Sequence, residues 1–312
     1  MTTTLPRSMW ALLALLTLFW GLNWPMMKLA LGELPVWTFR GACVATGAIG
    51  LFLIARASGF PIRVPPGQWP RLLATAFFNV TLWNVLIAHG LTYLPAGRSA
   101  ILAYTMPVWV VLLSIFVLGE PLTRRRLAGL ALGLCGMLLL MGTELAALRS
   151  APVGALLVLG AALSWAIGTV LMKRYPTTLP TTSFVAWQLA AGGLPVVLGA
   201  LAFDWGEWRP IGWQATVGLT YNMFIAFIFC HWAWFKIATS APAGVAALST
   251  MLIPVVGVLS GMLVLGEEQG WPEFSALLLV TLALATVLVP PRRGPTPAAT
   301  DAAASRRSGH AA

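Results

Sequence analysis

The sequence predicts an all-α integral membrane protein of ten transmembrane helices, built as two inverted five-helix repeats with both termini in the cytoplasm. Three observations carry that expectation. Apolar residues make up 59% of the 312 and charged residues 9%, where a soluble domain carries about 25% charge; mean hydropathy is +0.85. Apolar runs recur at the length of roughly 20 residues that a helix needs to cross ~30 Å of hydrocarbon. The chain also repeats itself, with matches at offsets of 145 and 147 residues.

The elements follow in order. The first run, 9–28, lies behind Arg7 as in a signal peptide. From Trp10 to Lys28 it is 19 residues long and lacks a small-residue cleavage site, so it reads as a retained first helix. Runs follow at 36–56 and 70–91, then at 95–118 with Pro107 near its middle, and at 126–143. The second set is 152–172, 181–203, 212–235, 242–265 with Pro254 near its middle, and 271–290. The runs at 70–91 and 212–235 are the least clean. The links are short, so no extramembrane domain is expected. The first repeat is placed at 1–147 and the second at 148–291. The tail, 292–312, is Pro, Ala, Ser and Arg and is expected to be a disordered cytoplasmic segment.

Charge sets the orientation. The net charge of +10 does not form one basic stripe, which excludes a nucleic-acid partner. With the N-terminus inside, Arg7, Arg56, Arg63, Arg71, Arg124, Arg125, Arg126, Lys173, Arg174, Lys236 and the four arginines of the tail are cytoplasmic. Those are 14 of the 19 basic residues, as the positive-inside rule requires. The acids lean outward. Cys43, Cys135 and Cys230 have neither metal nor redox spacing and read as small apolar helix residues. No metal and no cofactor is expected.

The repeat is read from paired motifs. Leu118-Gly119-Glu120 returns as Leu265-Gly266-Glu267, Pro107 as Pro254, and Pro95-Ala96-Gly97 as Pro242-Ala243-Gly244. Upstream, Trp20 and Lys28 return as Trp165 and Lys173, and Leu34-Pro35 and Phe39 as Leu179-Pro180 and Phe184. Five helices per copy is an odd number, so the second copy enters from the opposite side. Inverted repeats give two conformations of similar energy, one open to each face, which is the design of secondary transporters.

The segment Gly119-Glu120-Pro121-Leu122-Thr123, followed by Arg126-Leu127-Ala128-Gly129, Gly133 and Gly136, resembles the EamA-type module of the drug/metabolite transporter superfamily. Tyr104-Thr105-Met106-Pro107 and Trp20-Gly21-Leu22-Asn23-Trp24 fit it too. The resemblance spans roughly residues 9–290. The second copy departs from it, with Glu267-Glu268-Gln269-Gly270 in place of the Glu-Pro-Leu-Thr segment. The resemblance implies a multi-pass inner-membrane exporter of small metabolites, and the tryptophan-rich interior is similar to the branch that exports aromatic and other neutral amino acids. The implied partners are a small-molecule substrate and the lipid bilayer, with the monomer as the working unit. Two rivals remain: an exchanger of phosphorylated or nucleotide-linked metabolites, and a static membrane channel. No nucleophile elbow, carboxylate pair or GxxxxGK[ST] loop is present, so neither an enzyme nor an ATP-driven pump is expected.

No Asp or Glu lies near the centre of a predicted span, which disfavours proton antiport on a carboxylate. His89 and His231 are the remaining proton-coupling candidates. Polar and aromatic residues point to the substrate site. Asn23 shares a helix face with Trp20 and Trp24. Asn79 and Trp83 cluster on the third span, Tyr104 and Trp109 flank Pro107, Trp165 lies on the sixth, Trp187 on the seventh and Tyr221 on the eighth. Buried amides in lipid need partners, so these should face the bundle interior. Aromatic walls with a few amides suit a zwitterion with an apolar side chain. Pro107 and Pro254 each free a backbone carbonyl and are the candidate hinges. Glu120, just ahead of a helix start, is expected to favour that helix's dipole. Trp10, Trp69, Trp205, Trp208, Trp213 and Trp271 sit at span ends as interfacial anchors.

Overall fold

The computed structural model describes residues 7–121, 123–146, 152–240 and 243–288; the tail expected at 292–312 lies outside them. All regular structure among these residues is helical. We label the helices α1 (Arg7–Leu31), α2 (Val36–Ala57), α3 (Trp69–Tyr93), α4 (Ala96–Leu118), α5 (Arg124–Ala146), α6 (Pro152–Arg174), α7 (Thr181–Phe203), α8 (213–240), α9 (Ala243–Leu265) and α10 (Trp271–Leu288). Seven are long and apolar enough to cross a membrane along their described length: α1 to α4 and α6 to α8. In α5, α9 and α10 the described apolar stretches are shorter, Leu127–Gly136, Leu252–Leu265 and Trp271–Thr286.

Two helices change winding midway. Phe77–Leu82 in α3 and Tyr221–Cys230 in α8 are π-helical, with i→i+5 bonding. Such insertions are rare and frequent at functional sites. In α4 the helix stops at Ala103 and restarts at Met106, with Tyr104 and Thr105 in the break. Pro107 is therefore a helix-start proline, where its missing N–H matters least. Pro254, its mate in the repeat, lies inside the unbroken α9. The expected pair of equivalent hinges is thus locally unlike.

The repeated LeuGlyGlu has a plain conformational cause. Gly119 and Gly266 take the left-handed conformation, φ 67° and 65°, and each ends a helix. Behind them the amide of Glu120 donates to the Ser114 carbonyl at 3.2 Å and that of Glu267 to the Gly261 carbonyl at 3.3 Å. Both reach six positions back across the left-handed glycine that ends the helix.

Several glycines mark close helix packing. A Cβ at Gly193 would sit 2.8 Å from Val44, joining α7 to α2, and one at Gly21 would sit 2.3 Å from Val256, joining α1 to α9. Without a hydrophobic force between helices in lipid, such contacts supply the dispersion energy. The main pairs are α2 with α7, α5 with α10, α1 with α9, α4 with α6, α3 with α6, α1 with α8, α3 with α7 and α2 with α8. The buried core runs through the middle of this set, around Phe39, Leu51, Ile87, Leu91, Ile101 and Ile253. All six tryptophans expected as interfacial anchors are exposed, Trp213 at 75%.

Candidate functional site

The two ends of the bundle differ in charge. At one end, where α2, α8 and α10 begin, carboxylates meet helix N-termini. Asp204 accepts from the Thr38 amide at 2.6 Å, and Glu33 from the Gly212 amide at 2.6 Å. Glu273 accepts from the Gly270 amide at 2.7 Å at the start of its own helix. Glu267 reaches across to α4 and accepts from the amides of Ala96 at 2.5 Å and Gly97 at 3.0 Å. Each satisfies amides that a helix start leaves open and places negative charge at the positive end of its dipole. Hence the glutamate of the second LeuGlyGlu binds the Pro-Ala-Gly of the first repeat. The helix following it, α10, is served by Glu273.

The same end is tied further by cations. Arg98 pairs with Glu273 at 2.6 Å, the carboxylate being 2% exposed. Lys28 donates from α1 to the carbonyls of Leu91 at 2.5 Å and Leu94 at 2.8 Å at the end of α3. The opposite end carries Arg56, Arg71, Lys173 and Arg174. There a cavity of about 440 Å³ lies among α2, α7 and α8, lined by Ile54, Ser58, Phe60, Thr181, Trp232 and Lys236.

Between the ends lies a layer of aromatics and amides. Trp20 on α1 meets His231 on α8 edge to face, 5.9 Å between centroids, with Trp234 beside it at 5.9 Å. Trp165 on α6 meets Trp83 on α3 at 5.0 Å. Trp165 is the repeat mate of Trp20, and Trp83 and His231 each directly follow the π segment of their helix. Trp24 sets its edge against Tyr104, in the break of α4, at 6.5 Å. Trp20 and Trp165 thus stack on partners in the opposite half instead of on each other.

The amides behave as lipid burial demands of them, only in part. Asn79 is 4% exposed and sends its amide N–H to the Met172 sulfur at 3.7 Å; Gln188 from α7 meets the same sulfur at 3.7 Å. Asn84 and Asn222 turn back on their own helices, to Val80 and Gly218. The side-chain oxygens of Asn23, Asn79, Asn84 and Asn222 and the indole nitrogen of Trp109 are buried with no protein partner. An orphaned polar atom away from water costs about 1–3 kcal/mol, so this layer is where a polar ligand or ordered water is wanted.

Other sequence candidates fall elsewhere. The Trp187 indole donates to the Ile62 carbonyl at 2.7 Å and its ring packs on Phe52 and Trp69, which pins the α2–α3 loop. The Tyr221 hydroxyl donates to the Phe19 carbonyl at 2.7 Å, joining α8 to α1. His89 lies apart from the layer, its Nδ1 2.8 Å from the Val85 carbonyl and its ring against Trp37. The His231 Nδ1 is 2.9 Å from the Ala226 carbonyl, five residues back, a reach that follows from the π winding. Sequence reasoning passed over Met172 and Gln188 as partners of Asn79. Arg40 is a further buried polar group, and a charge four residues into a span was its signal in the sequence. Among the described residues no group of His, Cys, Asp and Glu is arranged to hold a metal.

Comparison with known proteins agrees with this architecture. The profile of the EamA-like transporter family matches twice, at residues 8–142 and 152–289. A Bacillus subtilis (strain 168) protein called Uncharacterized transporter YvbV is 32% identical over 91% of this chain and 92% of its own. An Escherichia coli (strain K12) protein called Probable amino-acid metabolite efflux pump is 27% identical over 86% of this chain and 91% of its own. A crystal structure 20% identical to this chain shares the fold, with a TM-score of 0.64 over 92% of this chain and 99% of that one.

Proposed function

Since the chain belongs to the EamA-like transporter family, within the drug/metabolite transporter superfamily, and is a multi-pass protein of the inner membrane, we propose that it exports small neutral amino acids, aromatic ones among them, by alternating access. In this reading all ten helices cross the bilayer, the end rich in Arg and Lys is cytoplasmic, and α1–α5 and α6–α10 are inverted copies.

The helix pairings support the two-copy reading. Exchanging α1 with α6, α2 with α7, α3 with α8, α4 with α9 and α5 with α10 turns α1–α9 into α6–α4, α3–α6 into α8–α1 and α3–α7 into α8–α2. It returns α2–α7 and α5–α10 to themselves, and every one of these pairs is a main contact. The π segments and the left-handed glycines obey the same exchange. Such a molecule can close at either end by equivalent movements.

The observation that carries the substrate class is the mid-bundle layer: Trp20, Trp24, Trp83, Trp165 and Tyr104, with the unpartnered oxygen of Asn23 on the same helix as Trp20 and Trp24. Aromatic faces suit an apolar side chain and carbonyl oxygens suit an ammonium group. An exchanger of phosphorylated metabolites would need converging cations. Here Arg98 is matched by Glu273, Lys236 lies over the Trp232 ring at the opposite end, and Arg40 lies beside Met27. The test is flux in proteoliposomes, with labelled neutral amino acids offered against phosphorylated metabolites, with and without a pH gradient. Amino-acid flux is expected; flux of phosphorylated compounds alone would reverse the reading. Flux indifferent to the gradient would remove coupling through His89 and His231.

A further inference from the structure

Arg40 is the most anomalous side chain of the bundle. It lies in the second turn of α2, about 6 Å along the helix from its start, and is 2% exposed. Its guanidinium has poor company. Nη2 lies 2.8 Å from the Met27 sulfur, a weak acceptor, and the carbon centre lies 5.0 Å from the Phe39 ring. Nε has no partner. Among the described residues no carboxylate comes within ion-pair distance of it: Asp204 serves the Thr38 amide, Glu33 the Gly212 amide, and Glu267 and Glu273 the start of α4 and Arg98. A purely structural arginine would have a carboxylate or several carbonyls, because a buried charge left unmatched is strongly destabilising. Intramembrane charges kept without a protein partner mark ligand paths.

Its neighbour on α1 says what kind of ligand. Met27 is one turn from Asn23, on the same helix face and about 6 Å along the axis. Asn23 presents a buried side-chain oxygen with no partner. The Arg40 fork rests on Met27 and the bare acceptor of Asn23 lies one turn along the same helix, so donors and acceptor face neighbouring turns of α1 and match the two ends of an amino-acid zwitterion. A guanidinium binds carboxylate in a bidentate fashion that lysine cannot copy. Trp20, one turn before Asn23, and Trp24, directly after it, are the aromatic residues on this stretch of α1 that an apolar side chain would meet.

We propose that Arg40 is the residue that recognises the substrate's carboxylate, with the Asn23 oxygen taking the ammonium. The proposal rests on the amino-acid reading above and deepens it. It predicts discrimination by head group: the carboxylate is required at Arg40, and the ammonium adds preference at Asn23.

The experiment uses the full-length protein in lipid and three probes: phenylalanine, its amide, which lacks the carboxylate, and 3-phenylpropanoate, which lacks the ammonium. Thermal unfolding and flux are read for the wild type, Arg40→Met, Arg40→Lys and Asn23→Leu. In the wild type, phenylalanine and 3-phenylpropanoate raise the unfolding temperature and the amide does not. Arg40→Met raises the unfolding temperature without ligand, because it removes the unmatched charge. It also abolishes both ligand shifts and lowers phenylalanine flux at least tenfold. Arg40→Lys keeps a reduced shift, and Asn23→Leu keeps the response to 3-phenylpropanoate while losing preference for phenylalanine. If Arg40→Met unfolds at a lower temperature and transports with an unchanged KM, the arginine is structural and the proposal falls. Should Arg40→Met not fold, an equal response of the wild type to phenylalanine and its amide would also sink it. Absence of amino-acid flux in the wild type would instead overturn the functional reading. The arginine proposal then stands if 3-phenylpropanoate shifts the wild type and not Arg40→Lys to the same extent, and falls if no carboxylate shifts it.

Discussion

At the scale of single residues, function and packing separate cleanly enough to be tested apart. Gly192 on α7 faces the π segment of α3. A Cβ there would lie 2.4 Å from the Ala76 carbonyl oxygen and 2.8 Å from the Val80 Cβ, and backbone cannot step aside as a side chain can. Gly192→Ala should therefore destabilise the protein by about 2 kcal/mol, within the usual overpacking range. Gly160→Ala, whose Cβ would meet Leu86 at 3.5 Å, should leave stability unchanged; equal unfolding midpoints for the two variants would contradict the packing described. Trp187→Phe should cost about 1 kcal/mol, the worth of its bond to Ile62, and leave transport intact, since that indole serves a loop. The sequence could nominate mid-span aromatics by position and periodicity. It could not say which were already engaged, because that depends on what each faces across the bundle. Trp20 and Trp165 were legible as a pair, whereas their stacking on His231 and Trp83 was not. Arg40 shows the same limit: a cation in the second turn of a span can bend toward the interface or turn inward, and only the packing of α1 on α2 decides.

At the scale of elements, the helix bounds were almost wholly legible. Spans expected at 36–56, 95–118 and 181–203 appear as Val36–Ala57, Ala96–Leu118 and Thr181–Phe203, because Pro35, Pro95 and Pro180 start helices and Gly119 stops one. The two runs judged least clean are the two that contain π segments. Hydropathy sensed their polar residues, but an extra residue per turn leaves no mark in composition. Likewise Pro107 and Pro254 are equivalent by offset, yet one starts a helix and the other rides inside one, since the break at Tyr104–Thr105 depends on local packing. The clamp between repeats invites a direct test. Glu267 holds α4 by two charge-assisted hydrogen bonds, each worth about 1.5–3 kcal/mol. Glu267→Ala should loosen that end of the bundle. Spin labels at the exposed positions Tyr93 and Glu268 should then report a new, longer distance population. A distribution unchanged from wild type would mean that the clamp does not hold this end shut.

At the scale of the whole molecule, the proposed exchange of halves has an exception, and the exception has a direction. Counting 147 residues from Arg98 gives Val245, and counting back from Glu273 gives Arg126. The ion pair of the acidic end therefore has no counterpart carrying the same charges at the basic end. If the halves exchange as proposed, this partly buried ion pair favours one closure over the other, and an imbalance of ~1.4 kcal/mol already shifts a two-state population tenfold. The resting protein should thus favour closure at the acidic end and access from the basic end, where the 440 Å³ cavity lies. Breaking the pair from the arginine side leaves Glu273 buried without its cation, so Arg98→Gln alone should destabilise by about 2–3 kcal/mol, less than a fully buried pair because Arg98 is 30% exposed. Arg98→Gln with Glu273→Gln should recover part of that loss while still removing the bias. In a cysteine-free background, a thiol at Ser58, on the cavity wall, should react with a water-soluble reagent in the wild type and more slowly in the double variant. A thiol at Thr92 on the opposite end should change the other way. Both rates rising together would point to general loosening; both unchanged would mean that the pair does not set the balance between the two closures.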